Sequence, residues 1–193
     1  MKVNVVLFWV IILILPLKSV SQTQKLFTSI EEAFLVPVDS VYRLDLSKQK
    51  MTKLPKEVSK FINLKELYLS KNKLHALPNH LLNLQKLEVL DLSKNNFKNF
   101  PPQLCSLQSL KQLFLGRNNI QVIPDCIGQI KNLEILDLWL NPIGNLPQTI
   151  SNLKKLKVID LRGINFSATS QEVIKALIPW AKVEFNKGCD CAH

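Results

Sequence analysis

The stretch Leu64–Asn72, LKELYLSKN, sets the frame of the whole chain. The same frame returns as Leu87–Asn95 (LEVLDLSKN), Leu110–Asn118 (LKQLFLGRN) and Leu133–Asn141 (LEILDLWLN), each starting 23 residues after the last. One period earlier lies Val41–Gln49 (VYRLDLSKQ), and one period later lies Leu156–Ile164 (LKVIDLRGI). A fixed period in the twenties predicts a solenoid, in which each module touches only its neighbours.

Seven positions of each repeat are expected to point inward: 1, 4, 6, 11, 14, 18 and 21. In the first repeat they are Val41, Leu44, Leu46, Met51, Leu54, Val58 and Phe61. In the first five repeats every such position is apolar, against 47% for the chain as a whole. A single module cannot bury that face alone. Stacking buries it and adds a parallel hydrogen-bond ladder between neighbours.

Position 9 carries Asn72, Asn95, Asn118 and Asn141, a residue that turns the chain and bonds to backbone left unpaired there. The first repeat has Gln49 and the sixth Ile164, so this ladder is expected to weaken at both ends. Position 15 is Pro55, Pro78, Pro101, Pro124 and Pro147, whose fixed φ suits a turn into the far side. The frame L-x-x-L-x-L-x-x-N, followed by L-P and two further apolar positions, resembles the 23-residue leucine-rich repeat class. With a leader in front, the chain is most similar to a small exported bacterial member. The resemblance covers Val41 to about Ile178. It implies an α/β fold: a curved leucine-rich repeat solenoid with a parallel concave sheet, a short helical or irregular convex side, and caps at both ends. It also implies protein binding, without naming a ligand.

Met1–Ser21 has a positive start at Lys2, an apolar run Val5–Leu15, a break at Pro16, and small residues Ser19-Val20-Ser21. This pattern predicts a cleaved export signal with Gln22 as the mature start. The run is shorter than the roughly 20 residues a membrane span needs, and Lys18 also counts against an uncleaved anchor. The formal charge is +10, and the leader contributes Lys2 and Lys18 and no acid, so +8 remain without it. Such a balance favours acidic partners or anionic surfaces.

The expected organisation is therefore a signal peptide over 1–21, a helical cap over 22–40, repeats over 41–178 starting at 41, 64, 87, 110, 133 and 156, and a closing strand with a cysteine tail over 179–193. In the first cap, Thr28 with Glu31 or Ser29 with Glu32 matches a capping box, and Pro37 ends the helix. In the last, Ser170–Ile178 reads as a helix with Val173, Ile174 and Leu177 inward, and Lys182–Phe185 as a strand that closes the sheet edge through Val183 and Phe185.

Positions 3, 5 and 7 of each strand alternate outward and form columns across the sheet. Position 5 reads Asp45, Tyr68, Asp91, Phe114, Asp137, Asp160. Position 3 contributes Val89, Ile135 and Val158, and position 7 contributes Trp139 and Arg162. Apolar and aromatic residues clustered on an exposed sheet, with charges around them, are what the centre of a protein interface looks like. The expected protein-binding set is Tyr68, Val89, Asp91, Phe114, Ile135, Asp137, Trp139, Val158, Asp160 and Arg162. The alternative is mutual cover, or packing under the second cap. Asp137 and Asp160 fall side by side, either screened by Arg162 or awaiting a cationic partner.

Lys48, Lys71, Lys94 and Arg117 form a basic column at position 8. This rim suggests a second function class, adhesion to glycans or anionic surfaces, beside the plainer reading of a solvated edge. Nucleic acid is not expected, because the acid column opposes phosphate and no recognised motif is present. Cys105, Cys126, Cys189 and Cys191 allow three full pairings, and the sequence does not choose among them. Cys189-Asp190-Cys191 with His193 lacks the spacing of a structural zinc site, so no metal and no cofactor are expected. The chain has no glycine-rich phosphate loop, H-E-x-x-H or G-x-S-x-G. Asp91 and Asp137 are two repeats apart with Phe114 between them, which speaks against a hydrolase pair. The expectation is a monomeric, non-enzymatic binding module without an integral membrane span in its mature form.

Overall fold

The computed structural model describes residues 25–186. The expected leader, and the tail with Cys189, Cys191 and His193, lie outside the described residues. Eight strands form one parallel sheet in chain order: β1 (Leu26–Phe27), β2 (Arg43–Asp45), β3 (Glu66–Tyr68), β4 (Val89–Asp91), β5 (Gln112–Phe114), β6 (Ile135–Asp137), β7 (Val158–Asp160) and β8 (Lys182–Glu184). The register follows the repeat: Leu44, Leu67, Leu90, Leu113, Leu136 and Ile159 pair in succession.

Parallel strands need a crossover, and from β2 to β7 each crossover carries a short 3-10 turn. Five such turns begin immediately after Pro55, Pro78, Pro101, Pro124 and Pro147, whose φ of −60°, −79°, −66°, −76° and −70° directs the chain into them. The inward positions bear out the frame. In the first five repeats all are buried except Met51 and Leu146, which are half-buried.

The asparagines join consecutive repeats. Asn118 Oδ1 accepts the Phe97 N–H at 3.1 Å, while its amide donates to the Leu92 and Leu115 carbonyls at 3.1 and 2.8 Å. Asn72, Asn95 and Asn141 repeat the pattern, and all four are buried. At the far end the ladder is carried differently: Asn186 Oδ1 accepts the Gly163 N–H at 2.7 Å.

The second position of each repeat builds another column. Lys65, Glu88 and Lys111 are bridged at 3.4 and 2.6 Å, and Glu134 pairs with Lys157 at 2.6 Å. The hydrogen bond from Lys111 holds the Glu88 carboxyl below its ordinary pKa, and the one from Lys157 does the same for Glu134. Charges alternate along this edge and neutralise one another. On the opposite side, Cys105 and Cys126 form a disulfide between neighbouring 3-10 turns, with Cα atoms 5.6 Å apart.

The sheet starts earlier than the frame suggests, because β1 precedes the first cap helix, α1 (Ile30–Ala33), and pairs with β2. Ser29 is the N-cap of α1 and accepts the Glu32 N–H at 3.0 Å. The Glu32 carboxylate reaches back to the Thr28 N–H, one residue beyond the N-cap N–H that a regular capping box uses. At the other end, α2 (Ala168–Leu177) starts after Ser167. Ile174 packs inward, but Val173 is 56% exposed, so that part of the expected helical face is corrected. The Phe166 and Phe185 rings meet edge to face at 6.2 Å beside β8.

Candidate functional site

Side chains of β2–β7 alternate strictly, so positions 3 and 5 of each strand stand on the exposed face while position 4 is buried. Phe114 is in register with Asp91 on one side and Asp137 on the other. Ile135 is in register with Val158. Trp139, two residues beyond Asp137, is half-buried.

Gly116 explains how Trp139 is held. A Cβ at Gly116 would lie 2.0 Å from Trp139 Cδ1 and 2.1 Å from Nε1, so the indole occupies the space a side chain would need. The Arg117 guanidinium sits over the same ring, 4.8 Å from its centroid. Gly163 plays a similar part for Leu140: a Cβ there would meet Leu140 Cδ2 at 2.4 Å. Neighbouring residues of one repeat thus lean in opposite directions, Trp139 onto a glycine of the preceding repeat and Leu140 onto a glycine of the following one.

The aspartates of position 5 have a structural task as well. Asp45, Asp91, Asp137 and Asp160 each accept the N–H two residues on, at 2.8–3.0 Å, and so shape the exit of the strand. Burial pushes Asp137 up from its ordinary 3.8 to about 6. The Trp139 N–H acts against this rise, and neighbouring Asp160 and Asp91 add to it. Asp160 differs, since Arg162 grips it through Nε and Nη2, with Nε also 3.5 Å from Glu184.

A family model described as a leucine-rich repeat region matches residues 38–178. The chain belongs to the leucine-rich repeat family. Among solved structures it is similar to a leucine-rich repeat protein of Leptospira interrogans, at 30% identity and a TM-score of 0.67, covering 84% of this chain and 48% of that one. It is also similar in fold to internalin C2 of Listeria monocytogenes, at 20% identity and a TM-score of 0.62, covering 76% and 62% of the respective chains. This leucine-rich repeat chain therefore spans about half to three-fifths of the length of these structures. Among curated proteins, none matches it.

Of the expected binding residues, Phe114, Ile135, Asp137, Trp139, Val158, Asp160 and Arg162 come together over β5–β7. Val89 is separated from Ile135 by Gln112. Tyr68 stands apart from the patch, donating its hydroxyl to Glu66 at 2.9 Å, while Arg43 bonds the same oxygen at 2.7 Å. Burial, then the Glu66 contact, raises its phenol above the ordinary value. Gly116 and Gly163, which seat Trp139 and Leu140, are not singled out by the column pattern, although the serine column breaks at Gly116 beside a tryptophan.

Among the described residues no group of three or more His, Cys, Asp or Glu side chains is arranged to hold a metal ion, and no helix is long and apolar enough to cross a membrane.

Proposed function

We propose that this chain is an exported, non-enzymatic, monomeric protein-binding module that docks its partner on the concave face of the sheet. Phe114, Ile135 and Trp139 form the centre of contact, with Asp91, Asp137 and Asp160 orienting the partner around them. The observation that carries this reading is the seating of Trp139. Its indole is held by Gly116 and Arg117 yet is not sealed inside, so little side-chain entropy is lost when a partner covers it. The family's fold, typically a non-enzymatic scaffold, supports the rest. Export is supported by the leader pattern and by the Cys105–Cys126 bridge, which persists in oxidising compartments.

The test is a pull-down from the native environment with the wild-type chain and with Trp139→Ala. The expected result is a protein retained by the first and lost from the second. Equal retention by both would move the binding site elsewhere.

A further inference from the structure

The basic column at position 8 has an unusual backbone. Lys48, Lys71, Lys94 and Arg117 have φ of 63°, 57°, 55° and 54°. Residues with a Cβ enter this left-handed region at a cost, and glycine or asparagine enters it more easily. The turn is locked from one repeat to the next: each of the four N–H groups donates to a carbonyl of the following strand exit at 2.8–2.9 Å. Nothing in that ladder requires a long cationic side chain, and the sixth repeat has Gly163 at the same position with φ 74°. Four successive repeats nonetheless place a cation there.

Among the described residues these cations also lack counter-charges. None of the four side chains has an ion pair among the described residues, whereas the lysines at position 2 alternate with glutamates and are neutralised. The two edges of one sheet differ in this respect. Beyond Arg117 the rim changes character: Arg117 covers Trp139, Leu140 follows at 41% exposure, and a hollow of about 370 Å³ opens between Trp139, Leu140, Arg162, Gly163 and Asn186.

We propose that this rim and hollow together dock an acidic segment of a protein partner, its carboxylates along Lys48–Arg117 and a large apolar side chain beyond them in the hollow at Leu140. The proposal rests on the protein-binding reading above and extends its site onto the rim. It joins two features that the sequence presents as rivals, because Arg117 belongs to both. A bilayer is less well matched, since the indole lies in a trough rather than projecting as an anchor. A sulfated or uronic glycan would meet the cations but leave the hollow unfilled. Strands about 4.8 Å apart put the four cations along roughly 14 Å, which an extended peptide covers in about four residues.

The test uses the full chain and defined probes: the peptides Glu-Glu-Glu-Glu-Phe-Leu, Glu-Glu-Glu-Glu-Ser-Ser and Lys-Lys-Lys-Lys-Phe-Leu, a heparin fragment, and phosphatidylglycerol vesicles. Affinity is read by calorimetry and the site by the Trp139 indole N–H resonance. The expected result is that the first peptide binds roughly ten-fold tighter than either other peptide, shifts the indole signal, and weakens with ionic strength. The double variant K71N/K94N should lose roughly ten-fold in affinity while its Tm stays level or rises, because asparagine accepts the left-handed turn. No binding of the first peptide would overturn the proposal. So would full affinity in K71N/K94N, or tighter binding of heparin or vesicles with the indole unmoved. If native partner capture is lost in Trp139→Ala but kept in K71N/K94N, the concave-face reading stands and only the rim proposal falls.

Discussion

Replacing Gly116 by alanine should disturb the candidate site more than any surface change of equal size. The new Cβ would lie 2.0 Å from Trp139 Cδ1, where ordinary contact starts at 3.4 Å. The ring must therefore move by roughly 1.4 Å, or turn out of its trough. Forcing a methyl group into occupied space costs about 1–3 kcal/mol. A ring turned outward also gives up the Arg117 contact, worth about 0.5–1 kcal/mol at an exposed position. Urea unfolding followed by circular dichroism measures the sum. With a slope of about 2 kcal/mol per molar urea, the midpoint should fall by roughly 0.75–2 M. The control is Gly144→Ala, where a Cβ meets nothing within 4 Å and the midpoint should stay put or rise. A Gly116→Ala protein as stable as wild type, with the Trp139 indole resonance unmoved, would refute the seating described above.

Asn118→Ala leaves the Phe97 N–H without its partner and takes one of two amide bonds from each of the Leu92 and Leu115 carbonyls, which keep Asn95 and Asn141, and should cost roughly 2–6 kcal/mol in the same unfolding assay. Removing the Cys105–Cys126 bridge as a double serine variant frees a loop with a sequence separation of 21 and should cost about 3 kcal/mol. Asp137→Asn should stabilise at pH 7. The folded carboxyl is raised to about 6 against an ordinary 3.8, so the charged form is penalised above pH 6, and that penalty vanishes as pH falls through 6 towards 3.8. Allowing for solvent screening, the gain at pH 7 should be about 1–2 kcal/mol and should be absent near pH 3.5, as read from urea midpoints at the two pH values.

The fold was legible because it is written many times over. Each inward position recurs at one spacing, so Leu67, Leu90 and Leu113 corroborate one another in the sequence itself. The asparagines and prolines were legible for the same reason, since each recurs where the backbone needs it. The ends were harder, because a cap occurs once. Strand β1 is only two residues long and is stabilised by pairing with β2, a tertiary cause with no local signature. Val173 looked like a core residue by helical spacing, but α2 turns it to solvent. In the candidate site, the columns placed Phe114 beside Asp137, as their register has them, with Trp139 two residues on. What they could not convey was direction within a column: Trp139 leans back onto Gly116, while Leu140 leans forward onto Gly163. Tyr68 was grouped with the patch by its column alone. Its hydroxyl is taken by Glu66, a partner from the adjoining column.

The alternating column Lys65, Glu88, Lys111, Glu134, Lys157 has a consequence for how such an array can grow or shrink. Every inward position would tolerate the loss of one module, since the frame closes up unchanged. The edge charges would not: excising 87–109 would bring Lys65 against Lys111 and stack Tyr68 beside Phe114. Excising two modules together keeps opposite signs adjacent. The edge charge of this solenoid therefore repeats over a pair of modules, with a parity that the leucine frame alone does not record.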